Sequence, residues 1–344
     1  MNFVSLLEIV KDLSLSFGPS GHEKPVRDRI ISYIDGVVPY HIDPLGNLIV
    51  EKKGKTTPSQ RIMIDAHMDE VGLIVSYITS DGFLKIHNVG GINEKVLLGR
   101  TVKVNNLTGV IGIKPVHLLS KEKSKDIPEM EDLCIDIGAA SREEAEKYVS
   151  LGDSVSFASE YTEFGKDNEF IKAKALDDRL GCAIMLDLLL SEMEYDVTFT
   201  FTVQEEVGCR GAITATNRVK PDYAIALECT TASDISGFDG EKKVCSLSGG
   251  AVVSFMDRST VYPRDLYRKA MAVVKEKNIK AQTKTMVAGG NNAGQIHKSA
   301  DGVKCLAVSV PCRYLHSPSC VIKKSDVEEV KKLVVELVDL FAHD

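Results

Sequence analysis

The stretch Arg61-Ile62-Met63-Ile64-Asp65-Ala66-His67-Met68-Asp69-Glu70 decides the fold. Its first half is a short apolar run, set off upstream by a polar break, Lys52 to Gln60, that carries Gly54 and Pro58. Such a run predicts a strand buried on both faces. The run ends in side chains that can hold a proton or a metal ion, His67 and Asp69. In open α/β sheets, ligands bind outside the carboxyl ends of the strands. The reading that follows is an α/β protein with its chemistry at strand ends.

Upstream, Leu6, Ile9, Val10 and Leu13 mark an amphipathic helix within the first 15 residues, and Val26, Ile30 and Ile34 mark another over residues 23–34. The turn signal Asp43-Pro44-Leu45-Gly46-Asn47 leads into a short strand, Leu48 to Val50. Downstream, from Gly72 to Gly165, short β-like runs alternate with Gly, Asn and Asp: Leu73 to Ile78, Phe83 to Val89, Thr101 to Val104, Gly109 to Ile113, Leu133 to Ile137 and Ser154 to Ala158. One helix in this stretch opens on a Ser141-x-x-Glu144 cap, and the lysine-rich Lys121 to Asp126 reads as a solvated loop.

After Gly165 helices and strands alternate again. Leu176 to Met193 is a predicted helix, Val197 to Val203 a strand, Tyr223 to Leu227 a strand, residues 263–278 a helix and Cys305 to Val310 a strand. A last helix is predicted to open at Ser325, with Glu328 as its capping partner. The expected fold class is α/β: a mostly parallel sheet covered by helices, with a small β-rich domain inserted. Residues 1–71 and 166–344 form the main domain and residues 72–165 the insert.

Composition narrows the function. The chain has 344 residues, 44% hydrophobic and 26% charged, which excludes a disordered chain. Its net charge is −7, it has no Trp, and aromatics are only 6%, so nucleic acid is excluded as a partner. No stretch approaches the roughly 18–20 uncharged apolar residues of a membrane span. The apolar pattern of the N-terminus is broken by Glu8, Lys11 and Asp12, unlike a signal peptide. The eight cysteines are scattered with no CxxC pair, which predicts reduced thiols in a cytoplasm.

The metal-capable side chains fall at element ends. His67 and Asp69 follow one strand, Glu205 and Glu206 another, Glu228 a third and His316 a fourth, while Asp177 and Asp178 open a helix. Two imidazoles and several carboxylates suit a borderline divalent ion such as Zn²⁺ or Co²⁺. One shared carboxylate would make a two-metal centre that activates water and polarises a carbonyl, with a further carboxylate left to take the proton. Each element alone has a plainer reading: Asp177-Asp178 as a helix cap, Glu205-Glu206 as a solvated turn, His316 as a turn residue. The set in its chain order carries the hypothesis.

Several motifs in that order resemble the M42 family of metallo-aminopeptidases, relatives of glutamyl and deblocking aminopeptidases, some of which carry an endoglucanase label. They are Gly18-Pro19-Ser20-Gly21-His22-Glu23, Asp43-Pro44-Leu45-Gly46-Asn47, Ala66-His67-Met68-Asp69-Glu70-Val71-Gly72, Ala175-Leu176-Asp177-Asp178-Arg179, Val203-Gln204-Glu205-Glu206-Val207-Gly208, Gly211-Ala212 and Tyr314-Leu315-His316-Ser317-Pro318. The resemblance covers nearly the whole chain and implies a zinc-peptidase-like fold. It implies that His67 and Glu228 join Asp177 at one metal, that Glu206 and His316 join Asp177 at the other, and that Asp177 bridges. It implies Glu205 as general base and Asp69 as the group that orients His67. Zn or Co would be the ions, with Mn as a further option.

The resemblance also implies short peptides as substrates and an insert that dimerises, with twelve subunits in a hollow tetrahedral shell. Two positions depart from the family pattern: Glu228, where Asp is frequent, and Asn292, where an acid is expected and could help hold a substrate amine. Three other readings stay open: glycan cleavage, hydrolysis of N-acyl amino acids or carboxy-terminal residues on a similar di-metal core, and a non-catalytic peptide-binding assembly.

Overall fold

The Ile62–His67 strand is buried at every position and lies inside an eight-stranded sheet. This computed structural model describes residues 4–113 and 128–344, so the Lys121–Asp126 loop lies outside the described residues. The sheet order is Tyr40–Ile42, Leu48–Lys52, Val197–Thr202, Ile62–His67, Tyr223–Thr231, Lys304–Cys312, Ala251–Val253 and Ala281–Thr283. Its four central strands are mutually parallel, which suits their burial on both faces at nearly every position.

The flanks differ from the expectation of a mostly parallel sheet, and the sheet is mixed. Tyr40–Ile42 and Leu48–Lys52 are a hairpin, because Asp43 Oδ1 accepts the backbone N–H groups of Gly46 and Asn47 at 2.8 and 2.9 Å and closes a tight turn. Gly46 sits there at φ +112°, open to glycine and strained for other residues. Leu48–Lys52 therefore meets Val197–Thr202 antiparallel, and Ala251–Val253 also runs against Lys304–Cys312.

Helices cover the sheet. Leu6–Leu15 packs on Leu176–Leu190, which lies against the Ile62–His67 and Tyr223–Thr231 strands. The first helix opens on a Ser5–Glu8 capping box that the sequence reading did not single out. The last helix, Lys324–Ala342, buries Val327, Val330, Leu333, Val334, Leu337 and Phe341. It starts before the predicted Ser325, directly from the Cys320–Lys323 strand, so no side chain caps it. Asp326 turns inward instead and accepts the N–H groups of Ser248 and Gly250 at 2.7 and 2.9 Å.

The six runs read between Gly72 and Gly165 close into an antiparallel barrel, in the order Gly72–Ile78, Leu84–Val89, Leu133–Asp136, Leu107–Ile113, Thr101–Val104 and Ser154–Phe157. Closure removes free sheet edges. The barrel fills itself from alternate positions, including Leu73, Val75, Ile86, Val104, Ile111 and Ile135, as an apolar cluster separate from that of the large sheet. A short third sheet joins Thr162–Phe164, Phe170–Ala173 and Cys320–Lys323. All eight cysteines are free thiols, and among the described residues no helix is long and apolar enough to cross a membrane.

One buried ionic knot ties these parts together. Glu70 accepts two hydrogen bonds from Lys174 Nζ, at 2.6 and 2.9 Å, one from the Gly18 N–H at 3.2 Å, and one from the barrel hydroxyl of Ser156 at 3.1 Å. Arg179, fully buried, stands 3.5 Å away and donates to the carbonyls of Met68, Leu13, Ser16 and Gly18. The knot fixes the chain just after His67 and Asp69 and just before Asp177. Lys174→Met leaves a buried carboxylate short of its nearest cation and should lower unfolding free energy by about 3 kcal/mol in urea titrations. A loss below about 1 kcal/mol would mean the knot carries little.

Candidate metal centre

His67 ends its strand at 1% exposure. Its Nδ1 lies 3.1 Å from the Asp69 carbonyl oxygen, and its Nε2 faces Asp177 Oδ1 at 3.5 Å and Glu228 Oε2 at 3.7 Å. His316 repeats this arrangement from a turn at φ +57°. Its Nδ1 lies 2.7 Å from the carbonyl oxygen of Gly91, and its Nε2 faces Glu206 Oε2 at 3.3 Å and Asp177 Oδ2 at 3.6 Å. A carbonyl only accepts, so each ring donates from Nδ1 and turns Nε2 towards carboxylate oxygens. The two oxygens of Asp177 point at different imidazoles.

Asp177 stands at the opening of the Leu176–Leu190 helix after Ala175, whose φ is +50°, and the Asp177–Asp178 peptide is cis. The capping role falls to its neighbour: Asp178 Oδ1 accepts the Gly181 N–H at 3.0 Å. Glu205 and Glu206 follow the Val197–Thr202 strand in a turn gripped by Asp69. The Glu205 N–H donates to Asp69 Oδ1 at 3.0 Å, the Glu206 N–H to Oδ2 at 3.1 Å, and the Ser20 hydroxyl to Oδ2 at 2.6 Å. Asp69 therefore meets His67 through its backbone carbonyl, with its carboxylate at 3.5 Å from the ring, and spends that carboxylate on the turn.

Two expectations need correction. Glu228 does not follow a strand; it lies inside Tyr223–Thr231, paired with Ser309, because that strand stays in parallel register with Lys304–Cys312 along its whole length. Asn292 is fully buried, and its amide donates to Asp65 Oδ2 at 2.7 Å and Thr202 Oγ1 at 2.9 Å. It faces a polar cluster within the sheet, not the cavity at the site, so a direct hold on a substrate amine is not its place. Its backbone N–H reaches Glu228 Oε1 at 3.4 Å. Sequence reasoning placed Asp178 at the helix opening but not among the ligands, although it lies within 4.8 Å of His67 and Glu228 ligand atoms, and it left out Gly91, a backbone partner that no side-chain motif reveals.

Charge makes the cluster unusual. Asp177, Asp178, Glu205, Glu206 and Glu228 converge here, and among the described residues every ion pair they make goes to His67 or His316. Asp177 Oδ1, Asp178 Oδ2 and Glu206 Oε1 are buried without a hydrogen-bond partner. Burial pushes the Asp178, Glu206 and Glu228 carboxyls well above their ordinary values, partly countered by the imidazoles. Burial likewise lifts Glu205 to about 7, with Asp69 and Asp177 adding to the rise against His67. For Asp177, burial is outweighed by His316 and His67, which hold it far below the carboxylate range. Burial opposes charge on His316, yet Asp177 and Glu206 raise it to about 10.

The donor set fits divalent cations. The imidazole–carboxylate gaps of 3.3–3.7 Å are long for charge-assisted hydrogen bonds. A tetrahedral ion with bonds of about 2.0–2.2 Å sets its ligands roughly 3.3–3.6 Å apart. The unpartnered oxygens, and Nε2 atoms held only by these long contacts, are what such ions need. Beside the cluster opens a cavity of about 370 Å³ that reaches Thr230, Lys284 and Gly290.

A sheet with a parallel centre and an acid–imidazole cluster at its strand ends is the architecture of a metal-ion hydrolase. The M42 glutamyl aminopeptidase family model matches residues 46–333, and the chain belongs to the M42 peptidase family and is a peptide hydrolase. It is 33% identical over 336 residues to the glutamyl aminopeptidase of Lactococcus lactis, covering 94% of this chain and 93% of that one. Among solved structures, a TET aminopeptidase from a marine-sediment thaumarchaeon superposes with a TM-score of 0.92 at 33% identity, over 98% of both chains. The TET1 peptidase of Pyrococcus horikoshii, described as assembling into a tetrahedron or a large octahedral shell, gives a TM-score of 0.85 at 37% identity, over 97% of this chain and 99% of that one.

The raised Glu205 carboxyl has a consequence for the metal-free protein. The folded chain holds the Glu205 proton up to about 7, against an ordinary 4.5. The folded state thus binds this proton more tightly, a stabilisation present in full below pH 4.5 and lost as pH climbs through 7. In chelator-treated protein, Glu205→Gln should raise the melting temperature relative to wild type at pH 8 and give no such gain at pH 4.5. Parallel melting-temperature profiles for the two proteins across that range would contradict the assignment.

Proposed function

We propose that the protein is a di-metal aminopeptidase that releases N-terminal residues from short peptides. The observation that carries this is the neutrality problem at Asp177: five clustered carboxylates share only two imidazoles as ion-pair partners among the described residues. His67, Asp177 and Glu228 would hold one ion and Asp177, Glu206 and His316 the other, with Zn or Co favoured by the mixed imidazole–carboxylate set and Mn a further option. Bound there, such ions polarise a carbonyl and acidify water.

The chain's own groups do the rest. Glu205 is in neither ligand set, which leaves its carboxylate free to act as the general base. It takes the proton from the attacking water and hands it to the departing amine. Asp69 positions it by gripping the Glu205 and Glu206 N–H groups. The Nδ1–H groups of His67 and His316, tied to carbonyls, keep Nε2 directed at the ions. The free amine of the substrate would be held by the surrounding carboxylates, which favours an unblocked N-terminus.

The proposed division is a catalytic unit of residues 1–71 and 166–344 around a barrel insert of residues 72–165, which serves self-association into dimers and, as in the TET peptidases it resembles, a dodecamer. Free thiols throughout support a cytoplasmic setting. Glycan cleavage is disfavoured: among the described residues the cavity lining has no Phe, Tyr or Trp to stack a sugar.

The test is a peptide panel on metal-stripped protein re-supplied with Zn²⁺, Co²⁺ or Mn²⁺, each peptide offered with a free and with an acetylated N-terminus. Cleavage only of the free forms is expected, and preference for acetylated forms would favour acylase chemistry. Glu205→Gln should keep its metals yet lose about 10²–10⁴-fold in kcat. Asp177→Ala should lose both ions, and elemental analysis finding two ions retained would remove the bridge.

A further inference from the structure

Glu205 differs from the other acids of the cluster in what holds it. Asp177, Glu206 and Glu228 face imidazole nitrogens at 3.3–3.7 Å, and Asp178 caps its helix through the Gly181 N–H. Glu205 pairs with neither imidazole among the described residues. There its carboxylate has a single hydrogen-bond donor, the thiol of Cys209, whose Sγ lies 3.3 Å from Oε1.

A glutamate side chain turns about several bonds, and a group that takes a proton from one particular water needs a fixed place. The Asp69 grip on the Glu205 N–H settles the backbone and leaves the side chain to turn. The turn itself supplies the second hold. The N–H groups of Gly208 and Cys209 both donate to the Glu205 carbonyl oxygen, at 2.9 and 2.8 Å. With φ of +120° at Gly208 and +53° at Cys209, the turn then closes before the helix Arg210–Val219 begins. Cys209 thus meets Glu205 twice, through its backbone and through its sulfur. A donor on Oε1 also decides which oxygen is left for the cavity that Glu205 lines.

We infer that Cys209 is a positioning residue for the proposed general base, its S–H holding Glu205 Oε1 so that Oε2 is presented to the attacking water. The inference rests on the aminopeptidase reading for the role of Glu205, while the hydrogen bond itself can be tested apart from it. Sulfur suits the task. A thiol is a weak donor, so it orients a carboxylate without competing strongly for the electron pair that accepts the proton. Burial, and after it the charge of Glu205, push the Cys209 thiol above its ordinary value, so the sulfur keeps its proton and donates. Cys209 is only partly buried and is not among the described residues that line the cavity, so it touches the base and not the substrate.

Wild type, Cys209→Ala, Cys209→Ser and Glu205→Gln, each loaded with Zn²⁺ or Co²⁺, are compared on peptides with a free N-terminus. Cys209→Ala should lower kcat by about threefold to tenfold and leave KM within about twofold of wild type. Cys209→Ser should recover most of that loss, because its hydroxyl can donate to the same oxygen. Infrared spectra of the metal-free protein add a readout that needs no turnover, since the S–H stretch falls where other protein groups do not absorb. The Cys209 band, isolated as wild type minus Cys209→Ala, should lie below that of a free thiol. It should move up when the same difference is taken in the Glu205→Gln background, where the acceptor is neutral. Wild-type kcat in Cys209→Ala beside an inactive Glu205→Gln overturns the inference and leaves the base assignment intact. A loss that Cys209→Ser does not restore also overturns it, as does a Cys209 band indifferent to Glu205→Gln. Full activity in Glu205→Gln defeats the base assignment and the role of Cys209 with it, and the infrared comparison then decides the hydrogen bond alone.

Discussion

Buried negative charge is the constraint on which this structure depends. A carboxylate removed from water must find a cation, take up a proton or accept several hydrogen bonds. The chain solves this in two ways a few residues apart. Glu70 is answered internally by Lys174 and Arg179, and that knot joins the N-terminal loop, the barrel and the entry to the Asp177 helix. The acids around Asp177, by contrast, receive no lysine or arginine among the described residues, only two imidazoles. On the proposed reading, this charge is left for cations from solution.

The cluster is held from several directions, and most of the hold is backbone. Asp69 fixes the Glu205–Glu206 turn through two N–H groups, so the proposed base and a proposed ligand move as one unit. Asn292 joins Asp65 and Thr202 to the segment whose N–H meets Glu228. His316 rests on Gly91, which belongs to the barrel stretch of the chain. The barrel is thereby coupled to the ring orientation of a proposed ligand. The barrel thus meets the site through that carbonyl as well as through Ser156 in the Glu70 knot.

Much of this was legible in the sequence, for reasons that can be named. Ile62 to Ile64 is a dense apolar run and Val197 to Val203 a run of β-branched and aromatic residues, and both compositions mark strands directly. The six barrel strands were visible from alternation and turn residues, but their closure was not, since it depends on pairing between distant runs such as Gly72–Ile78 and Ser154–Phe157. Antiparallel flanks escaped for the same reason. Glu228 was read as lying beyond its strand because a charged residue usually ends an apolar run; here pairing with Lys304–Cys312 carries the strand on past it. The division of labour between Asp177 and Asp178 could not be read either: two adjacent acids at a helix start look alike until the backbone turns one into the cap and the other into the cluster.

The most direct test of the central claim is to locate the cations themselves. Protein stripped of metal, re-equilibrated with Zn²⁺ and freed of excess salt should carry two ions per chain by elemental analysis. Anomalous diffraction should put them on opposite sides of the Asp177 carboxylate, one beside His67 and one beside His316, roughly 3.5–4 Å apart. Absence of bound ions, or anomalous peaks remote from Asp177, would contradict the account.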